Sequence, residues 1–407
     1  MEMKSRVLTT LAAAVVIVAA CSGTAATTAP TTAPSTAASM APSMAPSQSA
    51  SMAPESMAPS ASAAAVDWKT ATSAGTGGVD AVCAAGKAEG KLNIIATPDD
   101  WANYGQIIKD FSAKYGISIQ SDQPDADSQT EIDTAKQLAG TGRQPDVFDL
   151  GTVVALAHLD MYAPYQVAVW KDIPDTNKEA TGLWVNNYSG FETIGYDSSL
   201  GDIQKVADLA DPKYKGKVAL NGDPLKASAG FNGVVLAAVA NGGSADNIQP
   251  GIDFMKKLAT MGNLLPVDPN PATIASGQTP IVIDWTYNNG AQIDPLSKKG
   301  VTWKVVVPSD GPPVAAFYNS TINKDAAHPA AARCWMEYVF SDAGQNAWLK
   351  GFAIPVRIAA MQTAGTTDKA AFAALNPPTT APVMLTPAQI DAAKVLLTAQ
   401  WKFITIK

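Results

Sequence analysis

The sequence predicts an α/β fold of two lobes. Three observations carry this expectation: strand and helix periods alternate from Lys91 to Leu150, the alternation starts again at Lys217, and an extended run, Leu183–Tyr196, joins the two stretches. Short apolar runs separated by helical periods are the pattern of a sheet covered by helices. About 340 residues follow the unusual N-terminal region, enough for two domains with a core each.

Taken in order, Leu92–Ala96 is an apolar strand. Tyr104–Tyr115 is a helix with Ile107, Ile108 and Phe111 on one face, and Gly116–Gln120 is the next strand. A helix opens at Ser128, where Glu131 three residues on makes a capping box, and runs to about Ala139. Asp146–Leu150 is a third strand, so the segment reads as the start of a parallel sheet. The second stretch gives a strand at Lys217–Leu220, helices at Gly230–Ala240 and Ile252–Ala259, and a buried strand at Pro280–Asp284. Strands at Val301–Val307 and Ala315–Ile322 follow, then a helix from Pro329 to Phe340.

The N-terminal region has its own logic. Lys4 and Arg6 precede the apolar run Leu11–Cys21, which is too short to stay as a membrane span but suits a secretory signal. Val18-Ala19-Ala20-Cys21 resembles a bacterial lipobox, which implies a signal peptide over 1–20 and lipid on Cys21. Residues 21–65 are almost wholly Ala, Ser, Thr, Pro and Met, with Ser-Met-Ala-Pro recurring at Ser39, Ser43, Ser51 and Ser56. Such a stretch has no amphipathic period and many helix-breaking prolines, so it is expected to be a disordered spacer with a reach of roughly 35 Å.

A net charge of −7 without a Lys/Arg cluster argues against a nucleic-acid partner. With Cys21 set aside, Cys83 and Cys334 remain, and an even remainder in an exported chain suggests one disulfide. No Cys/His metal spacing exists. The acidic stretch Asp122–Glu131 lacks the ligand rhythm of an EF-hand.

Several segments resemble the extracellular solute-binding proteins of ABC importers, of type II fold, in the branch that carries ferric iron, polyamines, thiamine and aminoethylphosphonate. They are Lys87–Ile94 with Lys109–Ile117, Ala207–Ala219, Ala272–Asp284 and His328–Arg357, in the family's order. The resemblance implies two lobes, 79–190 with 311–350 and 191–310 with 351–407, and hinge strands near Gly190–Tyr196 and Ser309–Tyr318. It puts Cys83 and Cys334 in one lobe. It implies as partners a small solute, the permease subunits and the membrane through Cys21, for a monomer on the outer face of the cytoplasmic membrane. It implies no cofactor.

Ligands of open α/β sheets lie beyond the carboxyl ends of the strands. That rule selects Asp99, Asp100 and Trp101 after the first strand, Asp127 and Ser128 after the second, and Thr152 after the third. In the second lobe it selects Asn221–Gly230, in which Ser228, Ala229 and Gly230 form a helix start that could receive an anion, and Asp284–Asn288 with Asp284, Trp285 and Tyr287. A carboxylate beside an indole suits an alkylammonium group, and Trp285 matches a tryptophan that polyamine-binding relatives use. The iron binders' His, Glu and paired tyrosines are replaced here by Asp99, Gly151, Thr286 and Tyr287, a poor hard-cation set. The expectation is therefore a receptor for an amine-bearing solute, with iron or an anion as the alternative and a stalked surface protein as a distant one. Catalysis is not expected: His158 and His328 are the only histidines, and no GxSxG, P-loop or HExxH motif occurs.

Overall fold

The computed structural model describes residues 66–375 and 377–404. The signal peptide, Cys21 and the spacer read from the sequence lie outside the described residues. The body, from Ala64 onward, is one compact unit. No helix among its described residues is long and apolar enough to cross a membrane.

The first half opens with α1 (Gly78–Glu89), β1 (Lys91–Ile95), α2 (Tyr104–Tyr115), β2 (Ser118–Asp122), α3 (Ser128–Gln137), β3 (Val147–Gly151) and a short α4 (Thr152–Ala155). β1 and β2 pair in parallel from Lys91–Ser118 to Ile95–Asp122. The sheet expected to continue in parallel through β3 does not. β3 instead pairs antiparallel with β9 (Ala315–Asn323), a strand that returns from far along the chain, and β4 (Tyr162–Ala163) joins the C-terminal end of β9 at Ile322 and Asn323.

β5 (Val185–Asp197) connects the two halves of the body. Its first part, Val185–Phe191, pairs with β9, while Glu192–Tyr196 pairs with β7 (Ile281–Trp285) and Ile194–Asp197 with β8 (Trp303–Val306). β6 (Val218–Leu220) lies parallel to β7, giving the order β3-β9-β5-β7-β6. Between these strands run α5 (Ser228–Ala240), α6 (Gln249–Met261), α7 (Pro271–Ala275), α8 (Thr286–Ala291) and α9 (Ile293–Ser297). The chain ends with α10 (Pro329–Phe340), α11 (Asp342–Lys350), β10 (Ile354–Pro355), α12 (Ile358–Ala364), α13 (Lys369–Leu375) and α14 (Pro387–Gln400).

Two large apolar cores result. Val82, Leu92, Ile107, Phe111, Trp335 and Trp348 belong to the first, and Ile194, Phe231, Val234, Met255, Leu258 and Ile281 to the second. The segment 351–407, expected in the second lobe, divides between them: Ala353 and Val356 pack in the first core, and Ile390, Ala393 and Leu397 in the second. Cys83 of α1 and Cys334 of α10 form a disulfide in the first core. Close beside it, Glu89 accepts the free N–H groups of Ala330 and Ala331, capping α10 with a carboxylate at the positive end of its dipole.

The capping box read at Ser128 is not formed. Asp127 is the N-cap of α3 and accepts from Thr130 N and Thr130 Oγ1, both at 2.7 Å. Ser128 and Glu131 turn instead toward β3: Ser128 Oγ accepts from Gly151 N at 3.0 Å and Glu131 Oε2 from Asp149 N at 3.2 Å. β3 thus spends two of its backbone donors on helix side chains.

Candidate functional site

The loops after β1, β2, β6 and β7 converge, as the carboxyl-end rule requires, and β3 adds Asp149 from within the strand. β1 stops where Ala96 turns to φ +55°, and Ala102 (φ +46°) and Asn103 (φ +69°) reverse the chain again before α2. A backbone bond from Trp101 N to Pro98 O closes a turn over Asp99 and Asp100, with Trp101 as its last residue. Gln123 (φ +44°) ends β2 in the same way. Left-handed non-glycine residues are costly and gather where the surroundings fix them, commonly at binding sites.

These loops enclose a cleft of about 380 Å³, within the usual range for small-molecule sites. Its lining carries eight carboxyl side chains: Asp100, Asp125, Asp127, Glu131 and Asp149 on one side of the chain's midpoint, and Asp223, Asp268 and Asp284 on the other. Among the described residues Lys226 is the one basic side chain on it.

Asp284, at the end of β7, is buried, and its partners are neutral. Asn221 Nδ2 donates to Oδ2 at 2.8 Å, while Trp285 N at 2.7 Å and Asn288 Nδ2 at 3.0 Å donate to Oδ1. Desolvation outweighs these donors and pushes its pKa up to about 7. Asp149, inside β3, is in the same position: it accepts from Asn187 Nδ2 at 2.6 Å and from the Tyr188 hydroxyl at 2.7 Å, and burial pushes its pKa up to about 6. Burial also holds Glu131 well above the usual carboxylate range, aided by the charge of Asp149. An acid buried without a cation lacks the ion pair that would stabilise its charge.

Of the residues expected at the site, Asp100, Trp101, Asp127, Ser128, Ser228, Ala229 and Asp284 line this cleft. Asp99, Thr152, Gly230, Trp285 and Tyr287 are not on its lining. The Asp99 carbonyl accepts from Gly105 N, and Thr152 Oγ1 donates to Phe317 O. Gly230 lies against Gly222, where a Cβ would collide with the Gly222 carbonyl oxygen. Trp285 and Tyr287 are fully buried behind the surface, their rings 6.1 Å apart, and Trp101 stands in front of Tyr287 at 5.4 Å. Of the two indoles, Trp101 lines the cleft and Trp285 does not. Ser228 is not a cap, since Ala227 holds that position without a side-chain bond.

The sequence reading missed Asp149, Asp268 and Tyr318. Asp149 had a signal, a lone carboxyl within the apolar strand Val147–Gly151; Asp268-Pro269-Asn270-Pro271 reads as turn chemistry, and Asn270 indeed caps α7.

The family model for bacterial extracellular solute-binding proteins matches residues 146–376, more than half of the chain. The chain belongs to that family. This solute-binding protein is also similar in fold to solved structures at low identity. Iron-bound HitA from Pseudomonas aeruginosa is 19% identical with a TM-score of 0.56, covering 77% of this chain and 98% of that one. AfuA from Actinobacillus pleuropneumoniae, with exogenous fructose-6-phosphate bound, is 18% identical with a TM-score of 0.58, covering 78% and 100%. AgtB from A.tumefacien R10, in complex with agropinic acid, is 13% identical with a TM-score of 0.57, covering 78% and 99%. No curated protein sequence matches. Family membership makes the chain a solute-binding receptor of the ABC-importer class, exported, with a small molecule and a permease as partners, on a type II two-lobe fold.

Proposed function

We propose that this receptor is anchored by lipid on Cys21 and captures an amine-bearing polar solute, which it delivers to an ABC permease. The observation that supports the amine is the charge of the cleft: eight carboxyl side chains against one lysine, three of them, Glu131, Asp149 and Asp284, buried with neutral partners only. An ammonium group entering the cleft supplies the counter-charge that Asp284 and Asp149 lack. The indole of Trp101 offers a cation–π face beside them. No group of three or more His, Cys, Asp or Glu among the described residues is arranged to hold a metal ion, which weighs against a ferric solute.

A zwitterion has a specific feature in its favour. α5 begins at Ser228 with no side-chain cap, and Ser228, Ala229 and Lys226 line the cleft, so an acidic group has backbone donors and one cation to meet. An aminophosphonate uses both ends of such a cleft and a polyamine only the acidic one.

Small-angle scattering of the full chain with spermidine, putrescine, aminoethylphosphonate, phosphate or ferric citrate tests the reading. Contraction with the amines is expected as the lobes close. Contraction with ferric citrate or phosphate alone contradicts the amine, and a profile unmoved by any solute favours a stalked surface protein.

A further inference from the structure

Trp101 is held from behind. Its Nε1 donates to the Tyr188 hydroxyl at 2.7 Å, and that hydroxyl donates to Asp149 Oδ2 at 2.7 Å. The other oxygen of Asp149 accepts from Asn187 Nδ2, which also reaches Ser320 Oγ at 2.9 Å. A chain of hydrogen bonds thus runs from the cleft surface through β5 to β9. Its direction is fixed, because an indole can only donate. The phenol must accept from Trp101 and give its own proton to Asp149. An ionised acceptor strengthens both bonds, the second by polarising the first.

The Tyr188 ring cannot turn away. It stacks on Tyr318 at 5.6 Å with planes 3° apart and meets Trp348 at 4.9 Å and Tyr287 at 5.5 Å. The register of β5 against β9 shifts between Asn186 and Ser189, so Asn187 and Tyr188 stand in an irregularity of the ladder. Bulges of this kind re-aim side chains beside functional sites. Phenylalanine would serve the packing equally well; the hydroxyl is what the chain of bonds uses.

We infer that Tyr188 is the positioning residue of the solute-facing wall: its hydroxyl, clamped by Asp149, sets the plane of the Trp101 indole. The inference rests on reading the cleft as the solute site, but the bonds exist without a solute and are tested without one. Asp149 is faced by Glu131 of α3, Tyr104 of α2, Tyr188 of β5 and Tyr318 of β9. Burial pushes the tyrosines further up from their ordinary range, which leaves Asp149, at about 6, and Glu131 to titrate below them.

The experiment is nuclear magnetic resonance of the full chain with ¹⁵N-labelled indoles, the Trp101 N–H being the signal lost in Trp101→Phe. In the native chain that signal is expected to shift with pH around a midpoint near 6 and to exchange slowly with solvent. Tyr188→Phe should remove the shift and speed exchange about fivefold, the factor for one neutral hydrogen bond. Asp149→Asn should remove the shift while protection persists, which separates Asp149 from Glu131. Unchanged position, protection and pH response in Tyr188→Phe overturns the inference. A flat titration of the native chain overturns it too, even if Tyr188→Phe fails to fold. Failure of the cleft reading appears elsewhere, as scattering unmoved by any solute.

Discussion

Asn221 donates its side-chain amide to Asp284 Oδ2 at 2.8 Å, linking the loop after β6 to the end of β7. A neutral amide therefore stands where a buried carboxylate would ordinarily hold a cation. On the proposed reading the solute brings that cation. Asp284→Ala should weaken an amine by about 2–5 kcal/mol once the pair is desolvated. Titration calorimetry of the native and variant chains with spermidine measures this, and equal affinities would remove Asp284 from the site.

The buried acids also fix a pH dependence. Asp149 at about 6 and Asp284 at about 7 both lie above their ordinary value near 4. A raised folded pKa means that the folded state holds protons the unfolded chain has released. The stability these groups contribute is full below about pH 4 and is lost as pH rises through 6 and 7. His328, raised chiefly by its bond to Asp146, acts in the same direction nearer neutrality. Urea unfolding of the ligand-free chain should show stability falling between pH 5 and pH 8, with a shallower fall in Asp284→Asn. Affinity for an amine should run the opposite way and rise over that interval. A native chain as stable at pH 8 as at pH 5 would contradict both shifts.

Gly151 ends β3 directly against the start of α5, and a Cβ there would collide with Ser228 Cβ. Both atoms are backbone-fixed, so Gly151→Ala must push the β3 end away from α5. Solute affinity should drop at least tenfold, and the pair Gly151→Ala with Ser228→Gly should regain most of it. Fluorescence-monitored titration of the single and double variants decides; a double variant as weak as the single one would place the defect elsewhere.

The disulfide joins residues 251 apart in sequence. Closing so long a loop restricts the unfolded chain by up to about 5 kcal/mol on the chain-entropy model. Paired Cys83→Ala and Cys334→Ala should lower the melting temperature while leaving solute affinity unchanged, since neither cysteine lies on the cleft. Weakened binding in the folded variant would show that the first core carries strain to the site.

Elements governed by local pattern were legible in the sequence. The spans Tyr104–Tyr115 and Pro329–Phe340 agree with the expected bounds because apolar period, glycine stop and proline start are local signals. The capping box at Ser128 failed because tertiary partners displaced local ones. Ser128 and Glu131 have the spacing of a capping box, yet both serve β3, and Asp127 caps the helix. Trp285 ends a strand and Trp101 follows one, but burial separates them: Trp285 is fully buried in the first core, whereas Trp101 is partly exposed and closes the turn that starts at Pro98. No spacing in the sequence distinguishes a ring facing inward from one facing out. The loop around Asp268 was missed for a related reason, since only the fold brings it opposite Asp100 and Asp127 on one cleft.

Capture of a cation by the acidic cleft can be read from a thermal-shift panel on the full chain. Spermidine, putrescine and aminoethylphosphonate, at about a hundred times the dissociation constant, should add roughly 2.7 kcal/mol to stability. The melting temperature should rise with these amines and rise less in Asp284→Ala. A rise confined to phosphate, ferric citrate or uncharged sugars, or one untouched by Asp284→Ala, would contradict it.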